Sequence, residues 1–148
     1  MEYLKFNVDN ECWYFELDED RYATKQIVID DKGYHLSCLE DCLAEGVVDP
    51  DGFDGEGIFK WISSDEFYDE WNHYINEYAE AWNATKTRHT VGSNCSGKIK
   101  AFYPQGSLVE GADYIGICPN EQGSLHEVKN YRIIGYDESN LWLILRAV

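Results

Sequence analysis

Three residues with metal-ligating side chains fall close together in this chain: His35, Cys38 and Cys42, spaced His-x2-Cys-x3-Cys. On a helix Cys38 and Cys42 would stand one turn apart, which suits a zinc ion, but the neighbouring sequence offers no fourth ligand. Buried free cysteines on an amphipathic helix have the same spacing, so the three are weak metal candidates. The run Asp49-Pro50-Asp51-Gly52-Phe53-Asp54-Gly55-Glu56-Gly57 has the density of acid oxygens that calcium attracts. Its register fails, because an EF-hand loop opening at Asp49 would need an oxygen ligand at Phe53, Gly at Asp54 and Glu at Lys60. An acidic turn fits the run better. Glu70 and His73 match half of a di-iron carboxylate site, yet no second Glu-x2-His pair exists to complete it. His89 lies near Cys95 in sequence and His126 stands alone. No nucleophile elbow, phosphate loop or dinucleotide fingerprint accompanies any of them. The residues thus point away from catalysis, and the reading calls for no cofactor.

Charge is the more informative signal. The 148 residues include 12 basic and 28 acidic side chains, a formal charge of -16, with 44% hydrophobic and 15% aromatic content. That much apolar and aromatic area is enough to offset chain entropy, so the acidity belongs to a folded protein. Residues 1–91 hold 7 basic and 22 acidic residues, whereas residues 92–148 hold 5 and 6. A field of this sign repels nucleic acid, whose binding needs Lys and Arg to displace counterions from phosphates, and favours a basic protein partner or cations. It is densest from Asp49 to Glu80, where Lys60 is the one basic residue. Asp49, Asp51, Asp54, Glu56, Asp65, Asp69 and Glu80 are therefore the candidate partner-binding carboxylates. Phe53 and Trp61 lie among them as candidate desolvated anchors of the kind charges alone rarely provide. No apolar run is long enough to cross a bilayer, and the N-terminal sequence lacks the basic start and apolar core of an export signal. The expectation is a cytoplasmic protein with no membrane partner. Five cysteines, an odd and sparse set, are expected to be reduced.

The elements that must position these residues follow from periodicity. Tyr3 to Val8, Cys12 to Leu17 and Thr24 to Ile29 are aromatic and β-branched runs separated by polar turns, which predicts an antiparallel β meander. Ser37 with Glu40, closed by Gly46, predicts a short helix. Ile58 to Ile62 reads as a further strand. Ser63 and Glu66 form a capping box, and Phe67, Trp71, Tyr74, Ile75, Tyr78 and Trp82 recur every three or four residues, predicting one long helix over 64–86. The polar stretch 87–96 reads as a linker. Five short strands follow: Lys98 to Tyr103, Ser107 to Glu110, Tyr114 to Cys118, Tyr131 to Tyr136 and Leu141 to Ala147.

Within residues 97–148, Gly97-Lys98-Ile99, Gly106 before Leu108-Val109, Gly116-Ile117 and the hairpin Ile133-Ile134-Gly135-Tyr136-Asp137 returning through Leu141 to Leu145 resemble the S-one-type RNA-binding repeat. The resemblance implies a small five-stranded OB-fold barrel, with the glycines placed where barrel strands must bend. It also implies single-stranded RNA as ligand, with Phe102 and Tyr103 as the residues to stack bases. Where that family carries aromatics and a His, this chain has Gln105, Leu108 and Pro119, so nucleic acid is the second choice of ligand. The expected protein is α+β: an acidic region over 1–86 with a β meander, a short helix and a long one, then the linker, then an OB-like barrel over 97–148. In size, acidity and lack of a catalytic motif the whole chain resembles immunity proteins that neutralise basic nuclease toxins. Its expected function is non-enzymatic protein binding, with an RNA- or ribosome-associated module as the alternative. Oligomeric state is not legible in the sequence.

Overall fold

The computed structural model describes residues 1–120 and 123–148 and divides into two compact units, Met1–Tyr74 and Ile75–Val148. The first unit opens with strands β1 (Glu2–Val8), β2 (Glu11–Leu17), β3 (Ala23–Asp30) and β4 (Gly33–Leu36) and adds β5 (Ile58–Ile62) after a long loop. They form one antiparallel sheet in the order β4-β3-β2-β1-β5. Two-residue turns set the register. Val8 pairs with Glu11 across Asp9-Asn10, where Asp9 takes a left-handed φ of 49°, and Asp30 pairs with Gly33. The pairing of Leu4 with Phe15 and Trp61, and of Phe6 with Trp13 and Phe59, puts these six side chains on one face. Tyr3, Lys5, Tyr14 and Glu16 alternate onto the other.

Helix α1 (Ser64–Ile75) covers that second face. The Ser63 hydroxyl accepts the Glu66 N–H at 3.1 Å, so the expected cap forms. Phe67 and Trp71 are fully buried, Phe67 packing on Tyr3 at 5.2 Å between ring centres. Under the helix sits an ion pair: Lys25 Nζ lies 3.4 Å from Glu16 Oε1, with Glu16 4% and Lys25 7% exposed. Thr24 donates to the same carboxylate oxygen at 2.8 Å, while the Tyr68 hydroxyl and Tyr3 donate to the other. Burial alone would raise the Glu16 pKa, but Tyr68, Lys25 and Thr24 hold it below the usual value. The Lys25 ammonium also lies over the rings of Tyr68 and Trp71 at 5.5 and 5.7 Å.

The short helix expected over 37–46 is absent; that segment forms turns across the first face of the sheet. Its capping signals have other partners. The Ser37 hydroxyl accepts the Gln26 N–H at 2.9 Å, and Glu40 bonds His35 at 2.9 Å. Fully buried Gln26 then holds the segment with both ends of its amide, donating to Cys42 O at 2.6 Å and accepting from Ala44 N at 2.7 Å. Further on, Val48 N donates to Arg21 O at 2.9 Å. Gln26→Leu strands those two backbone groups, each worth about 1–3 kcal/mol when buried unpaired. The expected result is faster hydrogen exchange at Ala44 with α1 left protected; unchanged exchange at Ala44 would show that the amide holds nothing.

The expected single helix over 64–86 is interrupted: α1 ends at Ile75, a 3-10 turn spans Asn76–Tyr78, and α2 (Ala79–Arg88) continues. Its stripe is divided between two cores. Phe67 and Trp71 pack on the sheet, whereas Trp82 joins Val109, Tyr131, Ile133, Leu143 and Leu145 in the core of the second unit. Strands β6 (Asn94–Tyr103), β7 (Gly106–Glu110), β8 (Ile115–Cys118), β9 (Val128–Asp137) and β10 (Trp142–Ala147) close that unit into an OB-like barrel, ordered β10-β8-β7-β6-β9, with β8 and β10 parallel. Residues 87–88 complete α2 and 94–96 open β6, leaving 89–93 of the expected linker between elements. Gly106 has φ +143°, and a Cβ there would lie 2.4 Å from the Cys118 carbonyl oxygen, so β7 approaches β8 at a spacing only glycine allows. The fold is α+β, as the sequence implies.

Candidate functional site

The first face of the sheet is only partly covered. Alternation in β1, β2 and β5 brings Phe6, Trp13, Phe15 and Phe59 side by side, and the loop adds Val47, Val48, Asp49, Gly52 and Phe53, enclosing an open groove of about 390 Å³. Phe6 stacks on Phe59 at 4.2 Å, and Phe53 meets both edge-on at 5.4 and 5.1 Å. Such tilted and offset pairs fix ring positions beyond what burial alone achieves. Gly57, at φ +129°, lets the chain enter β5 directly against Phe6, where a Cβ would lie 2.2 Å from the ring.

The rim is acidic. Asp49 Oδ1 accepts the Asp51 N–H at 3.1 Å, turning the loop so that Asp51, Asp54 and Glu56 are exposed beside the groove. Trp61 lies on the same face with Arg21 stacked over its ring at 5.0 Å. Arg21 holds that position from a left-handed φ of 62° and bridges Glu2 at 3.4 Å and Asp49 at 3.7 Å. The unit Met1–Tyr74 carries 5 basic and 20 acidic residues, so the field counted in the sequence belongs to it.

Of the expected carboxylates, Asp49, Asp51, Asp54 and Glu56 share this loop, Asp65 and Asp69 are exposed on α1, and Glu80 belongs to the second unit. Phe53 lines the groove and Trp61 stands on β5. Sequence reasoning missed Phe6, Trp13, Phe15, Phe59 and Arg21. The available signal was an aromatic at alternate positions in three separate strands.

His35, Cys38 and Cys42 do not converge. His35 bonds Glu40 through Nδ1 at 2.9 Å and Asp30 through Nε2 at 3.2 Å, and these carboxylates, Glu40 foremost, raise its pKa. Cys38 is fully buried, and the Cys42 thiol is pushed up to about 11 by burial and by Glu40 and Asp41, opposite to what a metal-binding thiolate requires. Among the described residues no three metal-ligating side chains are grouped to hold an ion. In the second unit His89 bonds Asp113 at 2.8 Å, with Arg88 on the other carboxylate oxygen at 2.8 Å, while Cys95 lies beside the Tyr114 hydroxyl.

The two candidate stacking residues part ways on the barrel: Phe102 is exposed, but Tyr103 is buried with its ring 5.9 Å from Trp142. Tyr103 thus belongs to the core. All five cysteines are free, and among the described residues no helix is long and apolar enough to cross a membrane. No known family model matches the chain, and no curated protein matches it.

Proposed function

We propose that this chain is a non-enzymatic protein-binding module whose acidic first unit engages a basic partner, as immunity proteins do when they present carboxylates to a nuclease. The observation that supports this reading is the aromatic groove of Phe6, Trp13, Phe15, Phe53 and Phe59 opening beside Asp49, Asp51, Asp54 and Glu56. The exposed Phe53 and the half-buried Phe6, Trp13 and Phe59, seated on buried Phe15, supply the area to be desolvated, and the surrounding carboxylates steer and select a cationic surface. The test is a pull-down from the organism that encodes the protein, with the parent beside a variant carrying Asn or Gln at Asp49, Asp51, Asp54 and Glu56. Basic partners held by the parent should be lost or released at lower salt from the variant. Equal recovery at equal salt sensitivity would make the rim a solvated surface and remove the inhibitor reading.

A second reading, an RNA-associated module, draws support from the OB-like strand order, the exposed Phe102, and an open groove of about 470 Å³ on the barrel lined by Lys129 and Arg146. Against it, the second unit holds 7 basic and 8 acidic residues. Titration with single-stranded RNA at moderate salt is expected to give no tight complex; sub-micromolar affinity with a steep salt slope would reverse the ranking.

A further inference from the structure

Among the described residues the closed barrel leaves no sheet edge, and the open edges belong to the first unit, at β4 and β5. A bare edge presents a row of unpaired N–H and C=O groups, and proteins usually blunt it with short length, charge, proline, a bulge or a covering segment. Strand β4 is protected in this way. It has four residues, and His35 within it is flanked by Asp30 and Glu40. Strand β5 is not. It contains no proline, its pairing with β1 runs unbroken from Tyr3↔Ile62 to Asn7↔Ile58, and Lys60 is its one charge. Ile58 is 72% exposed and Trp61 45%, so apolar side chains flank the bare backbone.

The two faces of this edge differ. Phe59 and Trp61 project to the groove side, where the acidic loop lies and where Arg21 fixes the Trp61 ring. Ile58, Lys60 and Ile62 project to the other side. We propose that β5 is a site of strand addition: an extended segment of the basic partner pairs with Ile58–Ile62 and extends the sheet. This rests on the basic-partner reading and states how that partner is held. Main-chain pairing would supply affinity, and the alternation of side chains would supply selectivity. Residues of the added strand on the groove side are Arg, Lys or aromatic, placed to meet Trp61 by cation–π contact and to approach Asp54 and Glu56. Those on the opposite side are apolar against Ile58 and Ile62, because a cation there would face Lys60. The recognised segment therefore alternates basic with apolar residues over roughly five to seven positions. A second copy of this chain is the poorer occupant, since it would bring another unit with 20 acidic residues against 5 basic ones to the same edge.

The full chain is titrated at low salt with a seven-residue peptide alternating Arg and Val. Three companions accompany it: one with N-methyl groups on the odd residues, one with them on the even residues, and one with Gln in place of Arg. Strand addition uses the amides of only one set. One methylated peptide should lose roughly tenfold or more in affinity, about one hydrogen bond, while the other keeps it. The parent peptide should also slow hydrogen exchange at those β5 amides that β1 leaves unpaired. Equal binding of both methylated peptides would overturn strand addition while leaving the acidic docking surface intact. Tight binding of the Gln peptide, with only one of the methylated Arg peptides weakened, would keep the edge but remove the basic-partner reading. Absence of any peptide binding, or self-association of the free chain with protection at residues 58–62, would overturn the proposal.

Discussion

Lys25→Met is expected to lower the stability of the first unit by about 3–5 kcal/mol, because it leaves the Glu16 carboxylate buried without its cation. The denaturant midpoint should fall with little change in m-value. The double variant Glu16→Gln with Lys25→Met should recover much of the loss, since removing both charges also removes the desolvation penalty. A double variant no better than the single one would show that the pair adds net stability rather than merely tolerating burial. The pH dependence follows from the depressed Glu16 pKa. A carboxyl held below its unfolded value, about 4.3, stabilises the fold fully above that pH and loses the contribution as pH falls toward the folded-state value. In Lys25→Met this acid limb should flatten in part, because Tyr68 and Thr24 still hold the carboxyl down but the Lys25 cation no longer does. Unfolding curves taken across the carboxylate range check both statements.

Trp71→Ala is expected to cost about 3–5 kcal/mol by the usual range for truncating a buried aromatic. Trp71 is fully buried, stacks 6.0 Å from Phe67 and roofs the Lys25 ammonium, so the substitution opens a cavity and uncovers a charge together. A thermal melt within a few degrees of the parent would mean that α1 is not packed on the sheet.

Much of the architecture was legible because it rests on local periodicity. Alternation located the strands, and the three- and four-residue spacing located the helical stretch. The glycines at 97, 106 and 116 and the returning hairpin pointed to the barrel. What escaped depends on tertiary partners. Ser37 and Glu40 carry a capping pattern, yet Gln26 and His35 take their side chains, so the helix does not form. The stripe from Phe67 to Trp82 looks continuous in one dimension, but Trp82 answers to the barrel core. The acidic half of the candidate site was visible as composition. Of its aromatic half only Phe53 and Trp61 were, because Phe6, Trp13, Phe15 and Phe59 become neighbours only when strand pairing fixes their register.

The latch at Gln26 has a kinetic consequence. Cys42 offers its backbone carbonyl to that latch, and burial, with Glu40 and Asp41 beside it, pushes its thiol up to about 11, so near neutral pH far less of it is thiolate in the closed form than in an unstructured chain. Alkylation at Cys42 should then proceed mainly through molecules in which the segment has lifted and the thiol has returned to ordinary acidity. When reclosing is faster than alkylation, the labelling rate divided by that of an unstructured cysteine peptide gives the opening equilibrium. A single native sulfur thereby becomes a clock for the segment that leads into the groove-lining loop, readable by mass spectrometry without a reporter group. Ligands that need the groove closed should slow it in proportion to their saturation.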